Sequence, residues 1–321
     1  MGRLDENKKK RRKKRILALV LAAAAASAVF ILLQPNYKTT APGDILFEGD
    51  TYTYNRNLTN ILFLGVDYGT GYTDKSIGGH QADTLLLMSI DKSTKKAVFI
   101  NVPRDLVTKI KVYDIKGDFA HTTAGPICLA HSYGSDERDG SRLTMEAVEY
   151  LFYGVPCRNY VSMNIDGISR ANDLVGGVQV EVLEDFTAVA PSMKKGAVVT
   201  LNGVEAMNYV RQRSLGGMSG SNLDRMTRQV QYIRSFIHSV RQRTQEDRLF
   251  PVKLFLQMSS YVKTDASVFG LASVLQVLMD QGIAESDIRK VAGTMTREGY
   301  IVDNEALQKL VLETFYIKKT N

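Results

Sequence analysis

The sequence predicts an α/β domain: a central mixed β-sheet flanked by helices on both faces, preceded by one N-terminal transmembrane helix. Three observations carry that reading. An uncharged run of 18 apolar or small residues follows a block of eight cations near the N-terminus. From residue 58 onward, short continuous apolar runs of strand length recur. Between and after them lie stretches whose apolar residues repeat at helical spacing.

The chain has 321 residues, a formal charge of +7 and a pI near 9.2. A basic protein invites a nucleic-acid reading, but the location of the charge opposes it. Residues 1–15 hold nine Lys/Arg and two Asp/Glu, so the whole excess sits in this basic tail and the rest of the chain is neutral. Affinity for DNA rests on excess cations, so no nucleic-acid partner is expected. The run "ILALVLAAAAASAVFILL", residues 16–33, has Ser27 as its one polar residue and is about the length that crosses a bilayer as a helix. Cations on its N-terminal side hold that end in the cytoplasm and put the bulk of the chain outside. The tail also suits anionic lipid headgroups. "ASA" at 26–28 offers a signal-peptide cleavage site. The apolar run continues past it, which favours an uncleaved anchor.

Residues 34–57 are polar, contain Pro35, Pro42, Gly43 and Gly49, and read as an extracytoplasmic stalk. The domain proper is expected over 58–244. "NILFLGVD" (60–67), "TLLLMSID" (84–91) and "KAVFINVPRD" (96–105) predict three strands buried on both faces. "LTMEAVEYLFYG" (143–154) predicts a helix and "NYVSMNID" (159–166) a strand. A short helix (167–177) and a half-exposed strand (178–182) follow. "LNGVEAMNYV" (201–210) predicts a helix with Asn202 as N-cap, and Asp224 is placed to cap the next, 225–243. Residues 245–321 read as a C-terminal helical extension packed on the domain, with amphipathic pieces at 267–282 and 304–315.

In open α/β sheets, ligands bind beyond the C-terminal ends of strands. Asp67 stands at such an end, Asp83 precedes the next strand, and Arg104 and Asp105 follow the third. A loop with four glycines, 68–80, joins the first two strands. "YVRQR" (209–213) sets Arg211 and Arg213 two apart, and Arg225 and Gln229 share a helix face. Each feature alone is weak, since an Asp after a strand is commonly a turn residue and "PRD" commonly a surface ion pair. Together they put several arginines at element ends, where side chains can meet. The guanidinium fork suits phosphate oxygens, and a helix N-terminus adds positive potential. Two carboxylates beside such arginines point to Mg²⁺, with Mn²⁺ as the alternative, bridging Asp67 and Asp83 to phosphate. Competing chemistries lack their signatures. "GMSGS" (217–221) misses the last glycine of a serine-hydrolase elbow, no P-loop is present, and four scattered histidines form no metal motif. His131 reads as a packed polar residue rather than a base. Cys128 and Cys157 are disulfide candidates if the domain is outside the cell, and unpaired core thiols otherwise.

"NILFLGVD", "QADTLLLMSID", "VFINVPRD", "LVGGVQVEV", "LNGVEAMNYVRQR" and "DRMTRQ" follow one another in an order that resembles the LytR–CpsA–Psr family over about residues 58–244. The resemblance implies a membrane-anchored phosphotransferase with its catalytic domain outside. Such an enzyme moves a phosphoglycan, such as teichoic acid or capsular polysaccharide, from a polyprenyl pyrophosphate carrier to peptidoglycan. It implies that Asp67 and Asp83 serve Mg²⁺ and catalysis. Arg104 of the P-R-D motif, the pair Arg211 and Arg213, and Arg225 with Gln229 would bind the pyrophosphate. Gln81 stands where the family usually has Arg, which removes one cation but leaves an amide able to hydrogen-bond. The alternative class is a non-catalytic extracytoplasmic sensor or binder of lipid-linked glycan, or a regulator of envelope gene expression. A glycoside hydrolase using Asp67 and Asp83 fares worse, because nearby arginines depress carboxylate pKa values and spoil a general acid.

Overall fold

The structure is a computed structural model that describes residues 42–67, 80–114, 116–212 and 222–319. The expected basic tail and transmembrane run lie outside these residues, as does Arg213. Among the described residues no helix is long and apolar enough to cross a membrane.

The chain enters through a hairpin, β1 (Ile45–Phe47) and β2 (Asp50–Tyr54), so part of the stretch expected as stalk is structured. The three predicted apolar runs become β3 (Leu58–Val66), β4 (Ala82–Asp91) and β5 (Ala97–Val102), an antiparallel meander. A second hairpin follows, β6 (Val107–Tyr113) and β7 (Phe119–Pro126). Sequence reading passed it over because β7 is exposed along most of its length and so shows no apolar alternation. Then come α1 (Leu129–Ser132), α2 (Glu137–Leu151), β8 (Asn159–Asn164) and α3 (Asp166–Leu174). A short ribbon, β9 (Val178–Glu181) with β10 (Val198–Leu201), leads into α4 (Gly203–Arg211) and the long α5 (Asn222–Glu246). The rest is α6 (Phe250–Met258), β11 (Val262–Thr264), α7 (Val268–Gln281), β12 (Ile288–Lys290), the hairpin β13 (Gly293–Thr296) and β14 (Gly299–Val302), α8 (Asn304–Phe315) and β15 (Tyr316–Lys318).

Among the described residues the central sheet has six strands in the order β11-β8-β3-β4-β5-β12. It is mixed. β3, β4 and β5 alternate in direction, β8 runs parallel to β3, and β12 runs parallel to β5. One face carries Leu62, Leu64, Leu85, Leu87, Ile100 and Val102 against Val148 and Leu151 of α2, its C-cap Phe152, and Leu307, Val311 and Phe315 of α8. The other face carries Ile61, Leu86, Met88 and Phe99 against Ile237 of α5 and Leu278 of α7. Alternate strand residues point to opposite faces, so strands covered on both sides must be apolar throughout. That is why these runs were legible. The segment after residue 244, expected as helices packed on the domain, also supplies both edge strands, β11 and β12. Three-residue strands are too short to show a period.

Helix starts follow their capping chemistry. Asn202 accepts from the backbone N–H of Glu205, whose carboxylate accepts from the N–H of Asn202, as a capping box does. Asp136 caps α2 by accepting from the N–H of Asp139, and Asp303 caps α8 by accepting from that of Ala306. The expectation for Asp224 is corrected: α5 begins at Asn222, which puts Asp224 inside its first turn. Of the two alternatives for Cys128 and Cys157, the disulfide is not formed. Both are buried free thiols. Cys128 O accepts from Ala82 at the start of β4, whereas Cys157 Sγ lies 3.9 Å from Asn60 O at the start of β3. Ala82 is opposite Val66, six residues along β3 from Asn60, so the two cysteines lie toward opposite ends of the paired strands, roughly 20 Å apart at ~3.3 Å per residue.

The turn joining β4 and β5 sets their register. Asp91 Oδ1 accepts from the backbone N–H of Ser93 at 2.7 Å and of Thr94 at 3.1 Å, and its Oδ2 accepts from Asn55 Nδ2 at 2.7 Å. Partial burial alone would raise its pKa, but the bonds from Ser93, Thr94 and Asn55 outweigh it and bring the carboxyl to about 2. A carboxyl depressed on folding contributes stability above its unfolded pKa and loses it as pH falls through the folded value. Asp91→Ala should therefore cost about 1 kcal/mol at neutral pH. Thermal unfolding of both proteins along a pH series checks this: the difference in Tm should be full above pH ~4 and should close toward pH ~2.

Candidate active site

Because β3 and β5 both run antiparallel to β4, their C-terminal ends and the start of β4 meet at one edge of the sheet. Asp67 follows β3 there, and Arg104 follows β5. The β3–β4 register shifts at this edge. Gly65 pairs with Thr84 and Val66 with Ala82, which leaves Asp83 as the extra residue of a bulge. A bulge re-aims the side chain it contains and is a common device beside functional sites. Asp83 is thus turned toward Arg104, with which it forms an ion pair.

Arg104 sits among three acceptors. Beside Asp83, its Nη2 donates to Gln81 Oε1 at 2.5 Å and its Nε faces Asp105 Oδ1 at 3.3 Å. Gln81, at the position expected to lack a cation, thereby uses its carbonyl oxygen to orient one. Cys128 Sγ lies 3.8 Å from the same oxygen, and burial pushes its thiol pKa up, so it stays protonated.

Two histidines tie down the ends of the glycine loop. His80 Nδ1 donates to Asp67 O at 2.7 Å, and His131 Nδ1 donates to His80 O at 2.8 Å. His131 is buried, and burial holds its pKa below the usual histidine range, so it is a neutral strut. Residues 68–79 between these anchors lie outside the described residues.

The opposite wall comes from the two helices. Arg211 is the last residue of α4 and forms an ion pair with Asp67. The acidic residue that "YVRQR" lacks in sequence is therefore supplied from the end of β3. Arg225 is buried, and its Nη2 reaches Asp83 O at 3.4 Å. Gln229, one turn on, donates from Nε2 to Thr84 Oγ1 at 3.1 Å and to Val210 O at 3.2 Å. The structure thus brings Asp67, Gln81, Asp83, Arg104, Arg211, Arg225 and Gln229 into one linked cluster. Sequence reading passed over Arg228, the second arginine of "DRMTRQ". It lies between Arg225 and Gln229 and is 1% exposed.

Asp67 and Asp83 could serve a divalent cation in a limited way. Among the described residues no three His, Cys, Asp or Glu side chains converge as a metal site. Mg²⁺ does not require such a cage, since it keeps waters and takes one or two carboxylates plus substrate phosphate. Two carboxylates among arginines fit that donor set. The arrangement suits an anion rich in phosphate oxygens, which would replace Asp83 and Asp67 on Arg104 and Arg211 and release both carboxylates.

The chain resembles known proteins in sequence and in fold. The TagU teichoic acid transferase of Oceanobacillus iheyensis, named as acting between polyisoprenyl-teichoic acid and peptidoglycan, is 29% identical over 180 residues, 56% of this chain and 51% of that protein. TagU of Bacillus subtilis strain 168 is 30% identical over 179 residues, again 56% of this chain and 51% of the relative. The matched stretch spans about half the length of these curated relatives. The crystal structure of B. subtilis TagV superposes with a TM-score of 0.61 at 23% identity, covering 81% of this chain and 97% of that one. B. subtilis TagU superposes with a TM-score of 0.58, at 24% identity and 83% and 100% coverage. These share the fold. The LytR_cpsA_psr family model matches residues 34–315, nearly the whole chain, and this protein belongs to that family.

Proposed function

We propose that this protein transfers a phosphoglycan of the cell wall, such as teichoic or capsular polymer, from a polyprenyl pyrophosphate carrier to peptidoglycan. The single observation behind the reading is the convergence of Arg104, Arg211 and Arg225 with Asp67 and Asp83 at one sheet edge. The names of the TagU and TagV relatives support the substrate class. The chain would act outside the cell, held by the apolar run at 16–33.

In this reading Arg104 and Arg211 exchange their carboxylates for oxygens of the pyrophosphate, and Arg225 and Gln229 complete the cradle. An acceptor hydroxyl of peptidoglycan attacks the phosphorus nearest the glycan. The bond from that phosphorus to the bridging oxygen breaks, and polyprenyl phosphate leaves. The hydroxyl proton passes to Asp67 or Asp83, each released from its arginine. Mg²⁺, held by those same carboxylates, would offset the charge that builds on the phosphate oxygens. Arginines fixed beside the leaving phosphate act in the same direction.

The test is release of polyprenyl phosphate from a synthetic prenyl-pyrophosphate glycan by the full-length protein in detergent. Arg104→Ala and Arg211→Ala should each lower the rate by ~10²–10³ while circular dichroism shows a folded domain. Normal release by either variant would overturn the scheme. Tight donor binding by the wild type with no release would favour the non-catalytic sensor. Removing divalent cations with EDTA should abolish release, and Mg²⁺ should restore it. Full activity in EDTA would exclude the metal.

A further inference from the structure

We propose that Arg228 is a positioning residue for Arg211, acting as a C-terminal cap that one helix supplies to another. The inference rests on the pyrophosphate reading of the site. α4 ends at Arg211, and the last carbonyls of a helix have no intrahelical partner. Arg228 Nη1 donates to Tyr209 O at 2.6 Å, and its Nη2 donates to Gln212 O. These two carbonyls straddle Arg211. Gln229 takes the carbonyl between them, Val210 O. Consecutive side chains of α5 thus grip the backbone on both sides of the arginine that reaches Asp67.

The surroundings of Arg228 are built for a buried cation. Its Nε faces Glu184 Oε1 at 3.3 Å. Its guanidinium lies over the Phe186 ring at 4.8 Å and the Tyr209 ring at 5.8 Å. Tyr209 is itself held, since its hydroxyl donates to Gln231 Oε1 at 2.6 Å and accepts from the N–H of Leu183 at 3.2 Å. A charge removed from water needs such partners. Only a planar fork spans two carbonyls at once, and a lysine ammonium on this stem is a single point. At Gln212 the chain leaves the helix in extended conformation (φ −69°, ψ 137°), so the grip falls where the backbone changes direction. Arg228 is 1% exposed and so is shut off from a ligand in the cleft. It sets where Arg211 stands.

A double-mutant cycle on the full-length protein in detergent, read by calorimetry with geranyl pyrophosphate and Mg²⁺, tests this. Arg228→Lys and Arg211→Ala should each weaken binding by about 10-fold, as loss of a supporting hydrogen-bond partner commonly does. The double variant should bind no more weakly than Arg211→Ala alone, because the two act through one contact. Losses that multiply, or wild-type affinity in folded Arg228→Lys, would overturn the proposal. Hydrogen exchange in the ligand-free protein gives a second readout. The Gln212 amide, which donates to Asn208 O, should be protected in the wild type. In Arg228→Lys it should exchange about 10-fold faster, with the amide of buried Val240 unchanged. Should the variant fail to fold, a Gln212 amide unprotected in the wild type still overturns the clamp. Should the wild type not bind geranyl pyrophosphate, the proposed function fails, and exchange alone decides on Arg228.

Discussion

The register of the β3–β4–β5 meander is the constraint on which the rest depends. Antiparallel pairing fixes which residues meet at the sheet edge, and the Asp91 turn fixes that pairing at the far end. Asp83 and Arg104 lie equally far along their strands from that turn. A slip of one residue would exchange the side chains fitted against α2 and α8 with those fitted against α5 and α7, and would part the two charges at once. With Leu62, Leu85, Leu87 and Ile100 almost wholly buried, such a slip is strongly opposed. The hydrophobic core and the charged site are thus specified by the same alignment. The bulge at Asp83 is the one local departure, and it serves the site rather than the core.

The second theme is that every charge in the cluster meets a counter-charge or a carbonyl. Asp83 holds Arg104, Asp67 holds Arg211, and Glu184 faces Arg228. Separating such a pair costs less than the about 3–5 kcal/mol of a fully buried one, because Arg211 is half exposed, but it still strands a partly desolvated charge. An incoming ligand must therefore replace what it displaces. An anion suits the arginines and a cation suits the carboxylates, so the proposed pyrophosphate ligand and divalent cation would together satisfy both sets. The pairs at the front can exchange because they are partly exposed. Arg228 behind them is almost wholly buried and is closed off from such an exchange.

The sheet strands buried on both faces, and most of the longer helices, were legible because burial of a whole element leaves a periodic or continuous apolar record. The β6–β7 hairpin and the edge strands β11 and β12 were not, since exposure or brevity erases that record. At the site, residue types and positions were legible and partners were not. Arg211 and Asp67 are 144 positions apart, and no spacing rule links them. Arg228 was passed over because an arginine in an amphipathic helix ordinarily faces water. Whether Cys128 and Cys157 pair stays open in the sequence because composition cannot say at which end of the strands each lies.

The sequence by itself determined that the chain is an α/β protein with a basic, apolar N-terminus and a neutral remainder, and that its arginines and aspartates sit at element ends. Those are properties of local order, and local order is what periodicity and charge counting read. The tertiary structure alone decided that these ends are the same edge, that Gln81 orients Arg104, that both thiols stay free, and that Arg228 is buried. Each of those is a long-range juxtaposition set by strand pairing and helix packing, where residues far apart in the chain come to share one desolvated space.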